Sequence, residues 1–167
     1  MVDDILRKDG LSLKKLEILS YRSNLGINLK KNLHYFIKEE LFKEVKAVNQ
    51  WYDLCTELES VAIDYRIKSI QSAKLKYARY YPDHQTRKVF DDLLGFRALC
   101  DNYEDIHSLS KEEHIRIANM SCGKAHDDGY RGVHLYYKED NVHYPIEIQF
   151  NTFLDRQLND WLHDYVY

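Results

Sequence analysis

The stretch Tyr144-Pro145-Ile146-Glu147-Ile148-Gln149-Phe150 contains a strict alternation of apolar and polar side chains from Ile146 onward. Because successive side chains of a β-strand point to opposite faces, Glu147 and Gln149 are predicted to lie on the face opposite the apolar residues. If the sheet is covered on both sides, Glu147 requires a partner such as a metal or a cation. If one side is open, Glu147 is an ordinary acid that faces solvent. The stretch therefore predicts a strand, and both interpretations of its acid stay open.

The rest of the chain predicts helices around a sheet. Four further runs rich in β-forming residues predict strands at 61–68, 93–100, 114–120 and 132–138. Apolar residues at helical spacing predict two or three helices between 11 and 60, and further helices at 69–81, 103–110 and 154–167. In the last of these helices, five residues are predicted to face inward: Leu154, Leu158, Trp161, Leu162 and Tyr165. We therefore expect an α/β (α+β) domain with a mixed sheet of about five strands flanked by helices.

The composition is that of a single globular domain. The chain has 167 residues, 44% of them hydrophobic and 31% charged, with only 6 Gly and 2 Pro, which excludes disordered and collagen-like classes. No apolar run reaches the roughly 20 residues that a membrane span requires, and the N-terminal residues are acidic, so we expect a cytoplasmic protein without a membrane partner. The three cysteines are predicted to be free thiols. We divide the domain into a helical N-terminal segment at 1–60 and a sheet-containing core at 61–167.

The net charge of −3 conceals an asymmetry along the chain. Residues 1–90 carry 17 Lys and Arg against 12 Asp and Glu, whereas residues 91–167 carry 7 against 15. Between residues 66 and 88, seven cations are accompanied by a single acid, Asp83. The pattern predicts a local basic surface beside an acidic half of the protein.

This basic segment is suited to phosphate groups. A helix that begins near Ser69 would place four residues on one face: Lys68, Ser72, Lys76 and Arg79. Arg66 precedes them on the strand that leads into the helix. A helix N-terminus with free amide donors, a hydroxyl group and several cations can hold phosphate oxygens. The alternative is a solvated basic helix face, although such a face usually mixes both signs of charge.

Two adjacent acids open the strand predicted at 93–100. Asp91 and Asp92 stand directly before Leu93. Carboxylates at the end of a strand can hold Mg²⁺, which prefers oxygen ligands and shares them with substrate phosphates. Alternatively, one of the two acids caps a turn or pairs with Arg97.

Glycines flank an aromatic residue and a cation in the loop Asp128-Gly129-Tyr130-Arg131-Gly132-Val133-His134. Such a loop can bring the backbone close to a ligand while Tyr130 stacks on a flat ring and Arg131 meets an anion. A tight turn into the strand at 132–138 explains the glycines equally well. His134 alone is typical of a structural histidine.

Taken together, the order and spacing of these motifs resemble the RelA/SpoT synthetase domain of the small alarmone synthetases, over roughly residues 40–167. The four motifs are Arg66-x-Lys68-Ser69-x-x-Ser72-x-x-x-Lys76, Asp92-x-x-Gly95-x-Arg97, Gly129-Tyr130-Arg131-x-x-His134 and Glu147-Ile148-Gln149-x-x-Thr152. In that order, they resemble the family's ATP-binding motif, its magnesium-binding strand, its guanine-binding loop and the strand with its second acid. His163 and Tyr167 also fall where the family's following helix carries a His and a Tyr.

The resemblance implies a nucleotidyltransferase-like synthetase fold with a catalytic core at 61–167. It implies a pyrophosphokinase that transfers the β,γ-pyrophosphate of ATP to the ribose 3′-hydroxyl of GDP or GTP, making (p)ppGpp. Mg²⁺ is the implied cofactor, with Asp92 and Glu147 as the catalytic and metal-binding acids. The implied ATP-binding residues are Arg66, Lys68, Ser72, Lys76 and Arg79. The implied acceptor-binding residues are Tyr130, Arg131, His134 and Gln149.

The acceptor loop departs from the family pattern. The run His126-Asp127-Asp128 stands where the family commonly has Lys-Pro-Asn, Gly132 stands where Ser is usual, and Asn151 where Arg is usual. These changes remove positive charge around the implied acceptor.

Two alternative functions therefore stay open. One is the same transfer to an adenine nucleotide or to the 3′ end of tRNA, as in toxic relatives; a patch for tRNA would be Lys14, Lys15, Lys30 and Lys31. The other is a nucleotide-binding regulatory domain without catalysis, and the presence of Asp92 and Glu147 counts against it. A homo-oligomer and an antitoxin are the protein partners left open.

Overall fold

The computed structural model describes residues 1–166, so Tyr167 lies outside the described residues. The N-terminal part contains three α-helices: α1 (Val2–Leu6), α2 (Leu13–Leu19) and α3 (Lys38–Asp53). Short 3₁₀ turns follow or precede them at Arg7–Asp9, Leu33–Tyr35 and Thr56–Ser60. The hydroxyl oxygen of Ser12 accepts a hydrogen bond from the amide of Lys15 and so caps the start of α2.

Five strands form one sheet: β1 (Tyr65–Ile67), β2 (Leu94–Leu99), β3 (Ile115–Met120), β4 (Gly132–Tyr137) and β5 (Ile146–Asn151). Their order across the sheet is β1-β2-β5-β4-β3, with β2 and β5 parallel and the other neighbours antiparallel. The predicted mixed sheet of five strands flanked by helices is therefore confirmed. The stretch with strict alternation is the central strand, β5.

Four more helices lie after the first strand: α4 (Ile70–Tyr80), α5 (Thr86–Val89), α6 (Glu104–His107) and α7 (Phe153–Tyr165). The side chain of Ser69 caps α4, as the predicted helix start at this residue requires. Helix α4 packs on α3, where the ring of Phe42 meets that of Tyr77 edge-on at 5.1 Å between centroids. No helix in residues 1–166 is long and apolar enough to cross a membrane.

Strand β5 is buried on its apolar face and largely buried on its polar face. Ile146, Ile148 and Phe150 are fully buried in the hydrophobic core. Glu147, on the opposite face, is only 7% exposed. Of the two interpretations of Glu147, the structure therefore supports the one that requires partners for a buried acid.

A buried acid also joins the N-terminal helices to the sheet. Glu44 of α3 accepts hydrogen bonds from the hydroxyl of Tyr144, just before β5, and from that of Ser23 at 2.8 Å. The amide of Asn24 donates to the other carboxylate oxygen of Glu44 at 2.5 Å. These bonds connect residues that are far apart in the chain, and they compensate the cost of burying the carboxylate.

The predicted inward face of the last helix is wrong for four of its five residues. The exposed fractions are 76% for Leu154, 42% for Leu158, 53% for Trp161 and 74% for Tyr165. Only Leu162 is half-buried, and no described residue of α7 is fully buried. Helical spacing correctly identified an amphipathic helix, but spacing alone does not specify whether the same chain covers its apolar face.

Two glycines with the same left-handed backbone give a test of the N-terminal packing. A Cβ atom at Gly10 (φ 74°) would lie 2.8 Å from the carbonyl oxygen of Ser60, whereas one at Gly26 (φ 72°) would meet nothing within 4 Å. We expect Gly26→Ala to lower the free energy of unfolding by about 1–2 kcal/mol through backbone strain alone. Gly10→Ala should cost clearly more, because backbone atoms must move. Urea unfolding of both variants measures this, and equal losses would contradict the described contact.

Candidate active site

Three carboxylates meet where β2 and β5 run side by side. Asp91 and Asp92 stand just before β2, and Glu147 lies on β5 opposite Gly95. The parallel pairing brings these side chains together, and one oxygen of each lies within 4.8 Å of the others. The sequence pattern offers Asp91 and Asp92 as metal ligands, and the resemblance implies Asp92 and Glu147; the structure brings all three acids together.

Lysines of the basic segment neutralise these acids. Lys68 Nζ lies 2.9 Å from Asp92 Oδ2, while Lys76 Nζ lies 3.1 Å from Asp91 Oδ1 and 3.2 Å from Asp92 Oδ1. Arg116 of β3 reaches the second oxygen of Asp91 at 3.3 Å. The predicted alternative, an ion pair of Asp91 or Asp92 with Arg97, is wrong. The two aspartates form their ion pairs with Lys68, Lys76 and Arg116 instead.

The environment of Asp91 favours its neutral form. Burial raises the pKa of its carboxyl group to about 6, since the attraction of Lys76 only partly offsets burial, and Asp92 and Glu147 repel the charge. The two aspartates in turn raise the pKa of Lys76 against the effect of burial. Lys76 therefore stays charged beside the acids.

The environment of Glu147 favours its charged form. Burial alone would raise the pKa of Glu147, but His134 at 3.5 Å and hydrogen bonds from Gln149 at 2.8 Å and from the hydroxyl of Tyr136 at 2.9 Å hold it at about 2. Hydrogen bonds to a carboxylate stabilise its ionised form. Glu147 is therefore an anion across the physiological range.

The donor set fits a hard divalent cation. Three carboxylates with converging oxygens are ligands of the kind that Mg²⁺ prefers. Asp91, Asp92 and Glu147 could thus hold Mg²⁺.

Two cavities adjoin the carboxylates along the sheet. One, of about 310 Å³, is lined by Arg66, Asp92, Arg97, Glu147 and Gln149 among others. A wider cleft of about 520 Å³ is lined by Lys76, His84, Lys88, Asp91, Asp92, Arg116, His134, Tyr136, Glu147 and Gln149 among others. Asp92, Glu147 and Gln149 border both, so a ligand that spans the two would pass directly over the carboxylates.

A third cavity, of about 350 Å³, lies beside the glycine-containing loop. It is lined by Arg97, Tyr130, Gln149, Asn151, Arg156, Asn159, Asp160, His163 and Asp164. The hydroxyl of Tyr130 lies 2.7 Å from His134 Nε2, so this loop is joined to the histidine that faces Glu147. Gln149 borders all three cavities.

The structure does not bring every predicted site residue to these cavities. Arg131 forms an ion pair with Asp127 at 2.8 Å, and Arg79 is exposed on α4; neither borders the three cavities. The hydroxyl of Ser72 lies 2.9 Å from that of Ser69 at the start of α4 and does not border them either. The other predicted residues border the cavities or, like Lys68, contact a carboxylate that does.

Helix α7 supplies a cation that the sequence reading missed. Arg156 borders the third cavity, and its Nε donates to Asn151 Oδ1 at 2.9 Å. Its Nη2 is buried without a hydrogen-bond partner among the described residues. Arg156 stands near the start of α7, five residues after the end of β5.

The sequence reading also missed Arg116 and Tyr136. Arg116 lies on β3 and Tyr136 on β4, and both border the wider cleft. The Arg116 guanidinium stacks over the Tyr136 ring at 4.2 Å from its centroid. The pairing of Arg116 with Tyr136 in the β3–β4 register brings them together. Alternation in β4 places Tyr136 on the same face as His134, which was the signal available.

Comparison with known proteins gives matches only among solved structures, since no family model and no curated protein matches the chain. The chain is similar to small alarmone synthetase 1 from Bacillus subtilis bound to its product pppGpp, with a TM-score of 0.44 and 21% identity over 75% of this chain and 72% of that one. It is also similar to small alarmone synthetase 2 from the same organism, with a TM-score of 0.44 and 18% identity over 74% and 75% of the two chains.

The hydrogen bonds to Glu147 lead to a prediction about its acidity. Tyr136→Phe removes one donor, so the pKa of Glu147 should rise by about one unit, the equivalent of one charge-assisted hydrogen bond. Ionised Glu147 contributes to the free energy of unfolding above its ordinary pKa of 4.5, and this contribution is lost as the pH falls toward 2. The variant should make this contribution smaller. Titration of the Glu147 side-chain carbon by NMR measures the shift.

Tyr137→Phe is the matched control, because Tyr137 is the next residue of β4 and its hydroxyl donates to Glu139 instead. An unchanged Glu147 pKa in Tyr136→Phe, or equal shifts in both variants, would show that the Tyr136 hydrogen bond does not hold the carboxylate in its charged form.

Proposed function

We propose that this chain is a pyrophosphokinase that transfers the β,γ-pyrophosphate of ATP to the ribose 3′-hydroxyl of GDP or GTP. One observation carries the proposal: a cluster of three carboxylates, neutralised by lysines of the basic segment, lies where two cavities for large ligands meet. Such an arrangement suits phosphoryl transfer, in which positioning and charge stabilisation do most of the catalytic work. Each of the four motifs that resemble the RelA/SpoT synthetase domain contributes at least one residue to the cluster or its contacts: Lys68 and Lys76, Asp92, His134, and Glu147.

The donor nucleotide fits the cavity that is lined by two arginines and by Asp92 of the cluster. Arg66 and Arg97 line the cavity of about 310 Å³, and planar guanidinium groups can stack on a base as well as bind phosphate. Lys68 and Lys76 would exchange part of their contact with the aspartates for contact with the triphosphate. A charge-assisted hydrogen bond of this kind contributes about 1.5–3 kcal/mol. Ser72 and Arg79 border neither cavity beside the cluster, so the geometry gives these two residues no contact with the triphosphate.

Asp91, Asp92 and Glu147 would hold Mg²⁺. When bound, the ion neutralises charge that develops on the transferred phosphates. The low pKa of Glu147 keeps it ionised for this purpose. A carboxylate with a pKa of about 2 is also a weak base near neutral pH, so we assign Glu147 to metal binding and not to proton removal.

The acceptor fits the third cavity. Tyr130 would stack on its base, and Arg156, with its unpartnered Nη2, would supply the cation for an acceptor phosphate or carbonyl oxygen. Gln149 borders this cavity and the other two, so it would position the ribose near the carboxylates. The 3′-oxygen then bonds to the β-phosphorus, the bond from that phosphorus to the bridging α-phosphate oxygen breaks, AMP leaves, and the hydroxyl proton passes to water.

An acceptor panel tests the reaction. The protein is incubated with labelled ATP and Mg²⁺ and, separately, with GDP, GTP, ADP or deacylated tRNA; we expect label on GDP and GTP. Asp92→Asn and Glu147→Gln should each lower the rate at least ~100-fold, since each removes a charge at the reacting phosphates. Asp83→Asn is the control, because it removes an exposed acid away from the cluster.

Well-folded protein that labels none of the acceptors would refute the enzyme proposal. Label on tRNA alone, or on ADP alone, would retain the transfer chemistry and refute the guanosine acceptor.

Metal binding can be tested without any turnover. We expect Mn²⁺, used as a paramagnetic probe for Mg²⁺, to bind the nucleotide-free protein at one site. Asp91→Asn and Asp92→Asn should each weaken binding about tenfold or more, as expected when a carboxylate at a metal site is neutralised. Electron paramagnetic resonance of free Mn²⁺ measures the affinity, with Asp83→Asn again as control. Equal affinities in all four proteins would exclude the cluster as the metal site.

A further inference from the structure

A small basic pocket lies at the far end of the cleft, away from the donor cavity. It has a volume of about 160 Å³ and is lined by Arg87, Lys88, Asp91, His114, Ile115, Arg116, Tyr136, Lys138 and Pro145. Four of these residues also border the larger cleft: Lys88, Asp91, Arg116 and Tyr136. The pocket therefore opens beside the carboxylate cluster. None of the sequence motifs includes Arg87, Lys88 or Lys138.

The charges around this pocket are unbalanced. Four permanent cations face a single acid, Asp91, whose two oxygens already accept from Lys76 and Arg116. Burial and the neighbouring Arg116 lower the pKa of Arg87. Burial, Arg87 and Lys30 lower the pKa of Lys138. The cations thus repel one another, and an anion between them would relieve the repulsion.

Arg87 also has an unused donor. Its Nε donates to Gln85 Oε1 at 3.0 Å, but its Nη1 is buried and has no hydrogen-bond partner among residues 1–166. A buried charged donor without an acceptor is costly, and a guanidinium group suits the paired oxygens of a phosphate. Charge and hydrogen bonding therefore indicate the same kind of ligand.

We propose that the pocket of Arg87, Lys88, Arg116 and Lys138 is a second anion site, which takes a phosphate or diphosphate group. The volume supports a group of this size, since pockets for drug-sized ligands measure roughly 300–1,000 Å³. The anion belongs either to the acceptor, as its own phosphate, or to a separate phosphorylated effector. The anion site does not depend on the proposed reaction. Only the possibility that the anion is the acceptor's phosphate rests on the proposed function.

Titration with inorganic pyrophosphate tests the site directly, in the absence of nucleotide and metal. We expect the backbone amide NMR signals of residues 86–88, 114–116 and 136–138 to shift. Arg87→Gln and Lys138→Gln should each weaken this binding about tenfold, as the loss of one charge-assisted contact predicts. Lys46→Gln is the control, because Lys46 is an exposed cation of α3 outside the pocket. Arg87→Lys, which keeps the charge, should retain most of the affinity.

Shifts confined to the basic segment at 66–76, or wild-type affinity in both Gln variants, would overturn the proposal. Lys138→Gln keeps the test decisive if Arg87→Gln fails to fold. Because this readout needs no turnover, it remains valid if the protein transfers no pyrophosphate.

Steady-state kinetics then distinguish the two sources of the anion. If the acceptor's phosphate occupies the pocket, Arg87→Gln should raise KM for GDP about tenfold and leave KM for ATP unchanged, and pyrophosphate should compete with GDP. If a separate effector occupies it, added pyrophosphate should change the rate without competing with GDP, and Arg87→Gln should abolish that change. Either result supports the anion site.

Discussion

The parallel pairing of β2 with β5 is the constraint on which the site depends. It places Glu147 beside the start of β2 and so beside Asp91 and Asp92. Three carboxylates this close repel one another, and the arrangement requires compensating charge. Lys68 and Lys76 provide it from the strand-to-helix segment that precedes β2 in the chain. The basic segment thus has a role in the folded protein before any phosphate arrives.

The same cluster contains two acids with opposite tendencies. Burial raises the pKa of Asp91 to about 6, whereas at Glu147 the effect of burial is outweighed by His134 and by hydrogen bonds from Gln149 and Tyr136, which hold the pKa at about 2. The difference arises from the neighbours of each acid: His134 and Tyr136 of β4 contact Glu147, while Asp91 forms ion pairs with Lys76 and Arg116. Two carboxylates in one site can therefore perform different work.

Local sequence patterns predicted the positions of strands and helices well. They could not predict contacts between residues that are far apart in the chain. The alternation around Glu147 located β5 to within two residues, because alternation depends only on neighbours in the chain. Ser69 marked the start of α4 for a similar reason, since a cap acts within one turn. The contact of Arg116 with Asp91 depends on how β3 aligns with β4 and on the order of strands in the sheet. The sequence carries no direct sign of either.

Gly129 of the loop lies close to Leu162 of α7. A Cβ atom at position 129 would lie 2.8 Å from Leu162 Cδ1, so the glycine lets the loop approach the present position of this side chain on α7. Tyr130 on the loop and Arg156 on α7 both line one cavity. A side chain at position 129 would therefore require Leu162 to change its rotamer or the loop to move away from α7, and a movement of the loop would change the shape of that cavity.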